Sequence, residues 1–338
     1  MSATRFSWQA LTLELVVPFR LSYGVSETRQ VFWLRLAEDA GWGESAIPPY
    51  YHIPQAEIIA FWEQMARRDV PFPDDPAEIA AWVDAEGPAP ARCALDIALH
   101  DRIARRAGLP LHQLLRLSRP QPRATAFTIP IAEPDEMARM AREVLNRPVL
   151  KLKLGSEDDA VRVAAVRSAR PDARLYLDAN AAWSPDEAVA RIRELERFGL
   201  DLVEQPVPKE DIEGMGQVQA RVNVPIVADE SVQTLADVER LAAAGVRGIN
   251  LKLMKVGGLA PALQMLKRAR ALGMRIMLGC MIETSLGVTA MAHFISLADW
   301  IDLDAPLLIR NDPFEGVRYD ERARIHLPQR PGIGVIRK

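Results

Sequence analysis

The run Val149-Leu150-Lys151-Leu152-Lys153-Leu154-Gly155 decides how the rest of the chain is interpreted. The alternation of leucine and lysine in this run is typical of a short strand, in which Lys151 and Lys153 lie on the same side. In a parallel barrel that side can be the interior, where like charge and desolvation would lower the pKa of a lysine and make it a base. The alternative is a solvent-facing pair, which the run taken alone favours because lysine is rarely buried unpaired.

Strand-like apolar runs recur after residue 122 and alternate with helical patterns at a spacing of about 25 residues. The predicted strands are 124–131, 149–154, 174–178, 201–204, 226–228, 248–253, 275–278 and 300–303. Helical patterns between them include 133–145, 156–170, 184–198, 234–244 and 260–272. The alternation is typical of a parallel α/β protein, and an eightfold cycle favours a closed (β/α)7–8 TIM-like barrel over an open sheet.

Residues 1–120 have a different pattern, that of a small α+β capping domain. Strand alternation runs to about Glu44 and includes a hairpin whose connection, 18–30, is predicted to be long and polar. A second loop covers 48–54, and helices are predicted at 55–68, 76–86 and 89–107. After a linker at 119–122, the catalytic barrel is assigned to 121–311. The tail 312–338 has no further strand–helix unit and is expected to pack back on the capping domain.

Composition restricts the class of protein. The chain has 338 residues, a net charge of −3, 49% hydrophobic and 26% charged residues, and two cysteines. This mixture is usual for a soluble globular protein and gives no indication of a nucleic-acid-binding surface. Two isolated cysteines, no recognisable signal peptide and no apolar run long enough to span a membrane favour a cytoplasmic location without a membrane partner. A homo-oligomer is compatible with the sequence.

Carboxylates follow three consecutive predicted strands, at Asp178, Glu204 and Asp229. Chemistry in β/α barrels lies at these carboxyl ends of the strands. Buried carboxylates repel one another unless a cation or a proton intervenes, and an all-oxygen set selects Mg²⁺, with Mn²⁺ as a substitute. Helix N-caps are the alternative explanation, because Asp commonly begins the helix after a strand. Three acids in register favour one metal ion per subunit.

Lysines precede and follow these strands. Lys153 belongs to the second predicted strand and Lys252 to the sixth, so they face each other across a barrel. Two bases on opposite faces of a metal-bound carboxylate can exchange its α-proton through an enediolate. Lys153 and Lys252 are the predicted acid/base pair and should have lowered pKa values. Lys151 is expected to lower the pKa of Lys153 and to contact the substrate carboxylate.

This set of residues resembles the enolase superfamily, and within it the muconate-lactonizing-enzyme-like subgroup. The resemblance covers nearly the whole chain and rests on the Lys-x-Lys pair, the Asp178, Glu204 and Asp229 set and Asn250-Leu251-Lys252. It implies Mg²⁺-dependent proton transfer by a Lys base. Supporting positions beside the predicted ligands and bases are Asn180, Glu230 and Glu283. The subgroup contains racemases, epimerases, cycloisomerases and a dehydratase, so the machinery alone does not name the reaction.

Asp302-Leu303-Asp304, at the eighth strand end, looks like the Asp-x-Asp motif of the dipeptide epimerases, and 279–285 resembles their seventh-strand segment. Two acids on one face of a strand end make a pocket for an ammonium group, here the α-ammonium of an L,L-dipeptide. The expected reaction is epimerisation of its C-terminal residue. The alternative for Asp302 and Asp304 is a pair of helix caps or an ion pair with Arg310.

Side-chain preference is expected to come from the loops 18–30 and 48–54, closing over the barrel mouth as a lid. Arg20 and Tyr23 are the predicted substrate contacts there. Three other functions stay open. The same machinery would serve an N-acylamino acid racemase, an o-succinylbenzoate synthase or a cycloisomerase; a Schiff-base aldolase would use Lys252 as its nucleophile; and a barrel without catalysis would be a structural or binding protein.

Overall fold

An antiparallel sheet and a layer of helices form the N-terminal part of the chain. The computed structural model describes residues 5–21, 24–37, 41–47, 49–83 and 85–338, and the side chains at 19–21, 24, 25 and 49 lie outside that description. The sheet has the order β1-β2-β3. The elements are β1 (Phe6–Leu21), β2 (Gly24–Leu36), β3 (Trp42–Ala46), α1 (Gln55–Arg67), α2 (Ile79–Val83), α3 (Ala89–Arg106) and α4 (Leu111–Leu114).

Strand β3 lies directly on helix α3, and glycine makes this contact possible. A Cβ atom at Gly41 would lie 2.1 Å from the Ala98 carbonyl oxygen, and one at Gly43 would lie 1.8 Å from that of Ala94. Both distances are far below van der Waals contact, so any side chain would push the helix away from the sheet. The contact matters for the site because β3 also carries Glu44 towards the barrel.

The hairpin between β1 and β2 differs from the predicted one. Strand β1 continues to Leu21 and β2 begins at Gly24, with Phe19 paired to Ser26. The long polar connection predicted for 18–30 is therefore wrong, since most of that segment is strand. The prediction rested on the polar residues of the segment, whereas strand formation there depends on pairing between β1 and β2.

A parallel barrel follows. Within the described residues, eight strands pair in the order β12-β11-β10-β9-β8-β7-β6-β5. The strands are β5 (Phe127–Ile129), β6 (Val149–Lys153), β7 (Arg174–Asp178), β8 (Leu200–Glu204), β9 (Ile226–Ala228), β10 (Gly248–Leu251), β11 (Arg275–Gly279) and β12 (Trp300–Asp302). The helices are α5 (Pro134–Glu143), α6 (Asp159–Ala169), α7 (Pro185–Leu195), α8 (Ile212–Arg221), α9 (Leu235–Ala243), α10 (Leu253–Val256), α11 (Leu259–Ala271), α12 (Ser285–Ala292) and α13 (Ala305–Leu308). The predicted barrel is confirmed.

The ring closes between the first and last strands through the segment before β5. The Ala126 N–H donates to the Ile301 carbonyl over 2.9 Å, and the Leu303 N–H donates to Thr125 Oγ1 over 2.7 Å. The predicted strand 124–131 is therefore divided. Only Phe127–Ile129 joins the barrel, whereas β4 (Arg123–Ala124) pairs with the C-terminal tail.

The strand pleat fills the barrel interior in layers. The floor, at the amino-terminal ends of the strands, is a cluster of buried apolar residues: Ala126, Val149, Tyr176, Leu202, Val227, Met277 and Trp300. Because Val149 faces inward, alternation along β6 also turns Lys151 and Lys153 inward. Lys151 is 2% exposed and Lys153 is 7% exposed, so the solvent-facing alternative for the pair is wrong.

The C-terminal tail and the capping domain hold the barrel through buried carboxylates. The tail contains β13 (Phe314–Glu315), β14 (Arg318–Tyr319), β15 (Arg324–His326) and β16 (Ile336–Arg337). Asp101 of α3 accepts from the Ile333 N–H over 2.8 Å and from the Trp42 N–H over 3.0 Å. Glu44 accepts from Thr284 and from the Gly287 N–H, at the start of α12. Such buried acceptors fix the two parts together, since leaving one unpaired is costly.

No helix in the described part of the chain combines the length and the apolar character that a bilayer crossing requires.

Candidate active site

The mouth of the barrel, at the carboxyl ends of the strands, gathers the predicted site residues. In the sheet register Lys153 lies beside Asp178, which lies beside Glu204 on the next strand. Asp229 directly follows β9 and is buried. Inward-facing positions recur every second residue along a strand. The floor residues occupy one set of these positions, and the charged side chains occupy the next set towards the carboxyl ends. The sequence therefore brings them together by local strand geometry.

Lys151 occupies the centre of this cluster. Its ammonium lies 2.7 Å from Glu204 Oε2, 2.7 Å from Asp302 Oδ2 and 3.0 Å from Asp178 Oδ2. Lys153 lies 2.6 Å from the same Asp178 oxygen. The two lysines therefore share one carboxylate, and Lys151 links the end of β6 to the end of β12 across the interior.

A second cluster forms around Asp229. Lys252 donates to Asp229 Oδ2 over 2.7 Å, while Lys255 donates to Asp229 Oδ1, to the Asp229 carbonyl and, over 2.9 Å, to the Asn250 carbonyl. The sixth strand ends at Leu251 rather than at 253, so Lys252 occupies the residue just before α10. Each oxygen of Asp229 thus has its own ammonium partner.

The pKa of Lys252 runs opposite to the prediction, and the pKa of Lys151 is raised as well. Burial lowers the pKa of Lys151, but Asp302, Glu204 and Asp178 outweigh it and hold it well above the ordinary value. The Asp229 charge likewise raises the pKa of Lys252 in spite of burial. The predicted lowering is wrong for this arrangement because the nearest charges are carboxylates rather than another ammonium.

The carboxylates divide into an ionised and a protonated group. Burial raises the pKa of Asp178, but Lys153 and Lys151 outweigh it and bring it to about 2. Asp229 is held well below its usual pKa by Lys252 and Lys255, against the effect of burial. Burial and the charge of Asp178 raise the pKa of Glu204 to about 8. More negative charge is therefore collected here than the lysines neutralise.

Helix capping does not explain the three strand-end acids. The helices that follow them, α7, α8 and α9, begin after residues whose own side chains accept the first amide hydrogens. Those capping residues are Ser184, Asp211 and Thr234. The Asp178 side chain accepts from the Lys153 ammonium over 2.6 Å and from the Asn180 N–H over 3.0 Å, and neither donor is an amide of α7. The capping alternative for Asp178, Glu204 and Asp229 is therefore wrong.

The mouth presents oxygens suited to a hard cation. Across the described residues, no three His, Cys, Asp or Glu side chains converge as a ready metal cluster, and ammonium groups stand between the carboxylates. Several buried oxygens nevertheless lack a hydrogen-bond donor. They are Asn180 Oδ1, Glu204 Oε2, Glu230 Oε2, Asn250 Oδ1 and Asp302 Oδ1. Glu204 Oε2 contacts Lys151 as an ion pair without hydrogen-bond geometry. An oxygen set of this kind fits Mg²⁺.

Asp302 and Asp304 lie on the opposite wall from the strand-end acids. Asp302 Oδ2 pairs with Lys151, whereas Asp302 Oδ1 is buried without a donor. Asp304 Oδ2 accepts from the Thr128 N–H over 2.8 Å, and burial together with Asp302 raises its pKa to about 7. Neither alternative for this pair holds: Asp304 makes no side-chain cap on α13, and Arg310 donates to the Val16 carbonyl instead.

The three supporting positions are placed differently. Asn180 donates to Glu230 Oε1 over 3.3 Å, so both lie at the mouth, and burial with Asp229 raises the pKa of Glu230 to about 7. Glu283 instead accepts from the Met281 N–H and lies near Glu44 of the capping domain. Glu283 therefore belongs to the junction between the two parts of the chain rather than to the carboxylate cluster.

Sequence reasoning assigned no role to two residues that hold the acids in place, although Asn250 belongs to a motif named above. Gln205, with a positive φ of 37°, accepts from the Asp229 N–H over 2.8 Å and donates to Ser231 Oγ over 2.8 Å. Asn250 donates to Glu204 Oε1 over 2.7 Å. Both are uncharged polar residues at strand ends, and this is the sequence feature that could have identified them. Strained backbone at such a position is common in functional sites.

The capping domain supplies one wall of the site cavity. The cavity has a volume of about 100 Å³ and is lined on this side by Arg29, Gln30, Ile47, Tyr50 and Tyr51. Met281 and Ile282 line it from the barrel. Tyr23 and the side chain of Arg20, the predicted substrate contacts, lie outside the described residues. The predicted loop 48–54 does reach the mouth, but through its tyrosines.

Those tyrosines are attached to the barrel. The Tyr51 hydroxyl donates to the Glu230 carbonyl over 3.2 Å. The Lys209 ammonium lies 5.2 Å from the ring centre of Tyr50 and 5.0 Å from that of Tyr51, within the range of a cation–π contact. This wall of the cavity is thus held over the ends of β8 and β9.

Comparison with known proteins agrees with this fold. Residues 136–336 match the family model described as enolase C-terminal domain-like. An L-Ala-D/L-amino acid epimerase from Maribacter sp. is 34% identical over 98% of both chains. An L-Ala-D/L-Glu epimerase from Bacillus subtilis is 35% identical over 99% of this chain and 97% of that protein. A dipeptide epimerase from Enterococcus faecalis, solved with Mg and L-Leu-L-Tyr, matches with a TM-score of 0.91 at 33% identity, covering 98% of this chain and 99% of that one.

Fold and site together define a β/α-barrel enzyme with buried lysines facing buried carboxylates at the strand ends. Its relatives cover the full length of the chain, so both the barrel and the capping domain are shared. The chain belongs to the enolase superfamily and is an isomerase of the racemase and epimerase class.

Proposed function

We propose that this chain is a Mg²⁺-dependent dipeptide epimerase that inverts the α-carbon of the C-terminal residue of an L,L-dipeptide. The observation that carries the proposal is the position of Lys153 and Lys252. One ends β6 and the other follows β10, and these strands are four places apart in the ring of eight described strands. Two ammonium groups on opposite sides of one cavity suit proton exchange on two faces of one carbon.

In the proposed reaction, one lysine in its neutral form removes the α-proton and the other, protonated, donates a proton to the opposite face. The electron pair of the broken C–H bond moves into the carboxylate to give an enediolate, and it returns to carbon when the new C–H bond forms. Asp178 and Asp229 each bind one of these lysines, which fixes the ammonium groups on their own sides of the cavity.

Asp178, Glu204 and Asp229 are the proposed ligands of one Mg²⁺ per subunit, with Mn²⁺ as a substitute. The Glu204 oxygen that accepts no hydrogen bond within the described residues, and the excess of negative charge, support this assignment. Mg²⁺ would supply positive charge that offsets the charge developing on the substrate carboxylate.

Asp302 and Asp304 are the proposed partners of the substrate's α-ammonium group. The free Oδ1 of Asp302 supports this, because a buried carboxylate oxygen without a donor is costly and an ammonium would satisfy it. Lys151 is proposed to contact the substrate carboxylate, since it already bridges the metal-side acids and Asp302.

The proposal is tested with a dipeptide library in D₂O containing Mg²⁺. Deuterium should enter the α-carbon of the C-terminal residue, and exchange should stop when EDTA is added. N-acetylated dipeptides and N-succinylamino acids serve as controls, because they lack the α-ammonium group. Exchange of these compounds but of no free dipeptide would assign the chain to the acylamino acid branch instead.

The lysine assignment is tested separately with Lys153→Met and Lys252→Met. Each variant should lose epimerisation by about a thousandfold or more. If each lysine serves one face, each variant should retain exchange with a different epimer. Lys267→Met, at an exposed helix position, is the matched control and should keep full activity. Full epimerase activity in either site variant would remove that lysine from the mechanism.

A further inference from the structure

A cleft on the outside of the molecule lies where the capping domain, the linker and the C-terminal tail meet. Its volume is about 560 Å³, within the range of small-molecule sites. Helix α4, residues 119–122 and strands β14 and β15 contribute to its lining. It is separate from the barrel mouth, and the two cavities have no lining residue in common.

The charged side chains that line this cleft are all basic. Arg119 and Arg318 are exposed, and within the described residues neither makes an ion pair or a side-chain hydrogen bond. His326 also lines the cleft, but its Nε2 lies 3.2 Å from Asp320 Oδ2, an oxygen that Arg324 also binds, over 2.6 Å. The whole chain carries a net charge of −3, so this concentration of positive charge is local.

A buried polar atom beside the cleft also lacks a partner. His112 lines the cleft and is 6% exposed, and its Nε2 has no hydrogen-bond partner. Its Nδ1 and backbone N–H both face His293 Nδ1, at 3.4 Å and 3.2 Å. Because His293 Nε2 lies 3.2 Å from the Ile333 carbonyl, it carries the hydrogen of that contact. His293 Nδ1 therefore accepts, so the facing Nδ1 carries the hydrogen of the His112 ring and His112 Nε2 is an acceptor without a partner within the described residues.

The backbone that lines the cleft is conformationally restricted. Pro110, Pro120, Pro122 and Pro328 all line the cleft, and proline fixes its own backbone torsion. The Leu111 N–H donates to the Gly332 carbonyl over 2.8 Å, which joins the wall from the capping domain to the tail. A preformed cleft loses little entropy when a ligand binds.

We propose that this cleft binds a small dianion, with carboxylate or phosphate groups held by the guanidinium groups of Arg119 and Arg318. A guanidinium group presents paired donors that match either kind of oxyanion. The exposed amide side chains of Gln113 and Gln121 add hydrogen-bond donors at the rim.

Calorimetric titration of the full chain with inorganic phosphate and with glutarate, at constant ionic strength, tests the proposal. Saturable binding of one anion per chain is expected, with a Kd below about 1 mM. Phosphate alone or glutarate alone would identify the oxyanion, and binding of both would support the shared chemistry. Arg119→Gln and Arg318→Gln should each weaken binding by about tenfold, since each removes charge-assisted hydrogen bonds.

Arg142→Gln is the matched control, because Arg142 is an exposed arginine on barrel helix α5 and does not line the cleft. Its binding should equal that of the natural chain. The absence of saturable binding for both anions would overturn the proposal. So would unchanged binding in the double variant Arg119→Gln/Arg318→Gln, or an equal loss in Arg142→Gln. Epimerase activity should stay unchanged in all of these variants.

Discussion

The floor and the mouth of the barrel are built from the same strands but from opposite kinds of side chain. At the floor, Val149, Tyr176 and Leu202 pack into a dry layer with Met277. Two residues further along the same strands, the inward positions are Lys151, Asp178 and Glu204. The strand pleat turns apolar and charged side chains inward in the same way. Whether a level of the barrel is packed or charged therefore depends only on which residues occupy its inward positions.

The two levels are stabilised by different forces. Apolar burial at the floor contributes roughly 1.5–3 kcal/mol for each large side chain. At the mouth, desolvation opposes every charge, and the charges of Lys151, Asp178 and Asp229 persist because each has an opposite partner within about 3 Å. The floor therefore stabilises the barrel, whereas the mouth, the proposed site of the reaction, holds its charges at a cost in stability.

The largest effect is expected at the mouth, from Lys151→Met. This change removes the cation that Asp178, Glu204 and Asp302 share. Loss of one partner from a buried ionic cluster costs about 3–5 kcal/mol of unfolding free energy. Activity should fall by about a thousandfold, because the carboxylates would be rearranged. Urea unfolding and the D₂O exchange assay measure the two effects. A variant that kept both its activity and its stability would show that the mouth does not depend on this buried cation.

At the floor, Met277→Ala should separate stability from catalysis. Met277 is fully buried, and its truncation should lower the unfolding free energy by about 2–5 kcal/mol. The kcat of the molecules that remain folded should change by less than about twofold, because the floor touches no proposed substrate atom. A large loss of kcat in fully folded protein would show that the two levels act together.

A smaller, pH-dependent effect is expected at Asp304, whose pKa is raised to about 7 by burial and Asp302. Below that pH the carboxyl is neutral and binds an ammonium group poorly. For dipeptides, kcat/KM should therefore fall by up to about tenfold per pH unit as the pH drops below 7. Asp304→Asn should have lower kcat/KM at pH 8 and a flatter profile below pH 7.

The stability effect of Asp304 has the opposite sign. Because the folded pKa lies above the ordinary value of 3.8, the native state keeps the proton that the unfolded chain loses. Its contribution to stability is therefore present below pH 3.8 and is lost as the pH rises to about 7. Asp304→Asn should remove this loss, so its Tm should exceed that of the natural chain more at pH 8 than at pH 4. An unchanged difference would contradict the raised pKa.

The smallest effect is expected where the capping domain touches the mouth. Tyr51→Phe removes the hydroxyl that donates to the Glu230 carbonyl, worth about 0.5–1.5 kcal/mol. If this contact holds the cavity wall closed over substrate, KM should rise by about threefold to tenfold with little change in kcat. Steady-state kinetics with one good dipeptide measure this, with Met277→Ala as a comparison for changes outside the wall.

Much of the barrel could be predicted from the sequence because the hydrophobic patterns of its strands and helices are local. Alternation along 149–153 and repetition of strands and helices predict inward lysines and acids at neighbouring strand ends. The extent of the hairpin at 18–30 and the division of the first barrel strand were not readable, since both depend on pairing with distant segments. The predicted direction of the Lys252 pKa was wrong for the same reason: it depends on which acids lie nearest in space.

The barrel, the shared side of Lys151 and Lys153 and the residue types at the strand ends follow from local patterns in the chain, because strand periodicity acts over a few residues. Three contacts instead depend on tertiary packing: Lys151 joins Asp178, Glu204 and Asp302; Gln205 and Asn250 hold the acids; and Tyr51 reaches Glu230 from the capping domain. Those contacts join residues as many as 179 positions apart. They depend on the packing of whole elements, which no local pattern encodes.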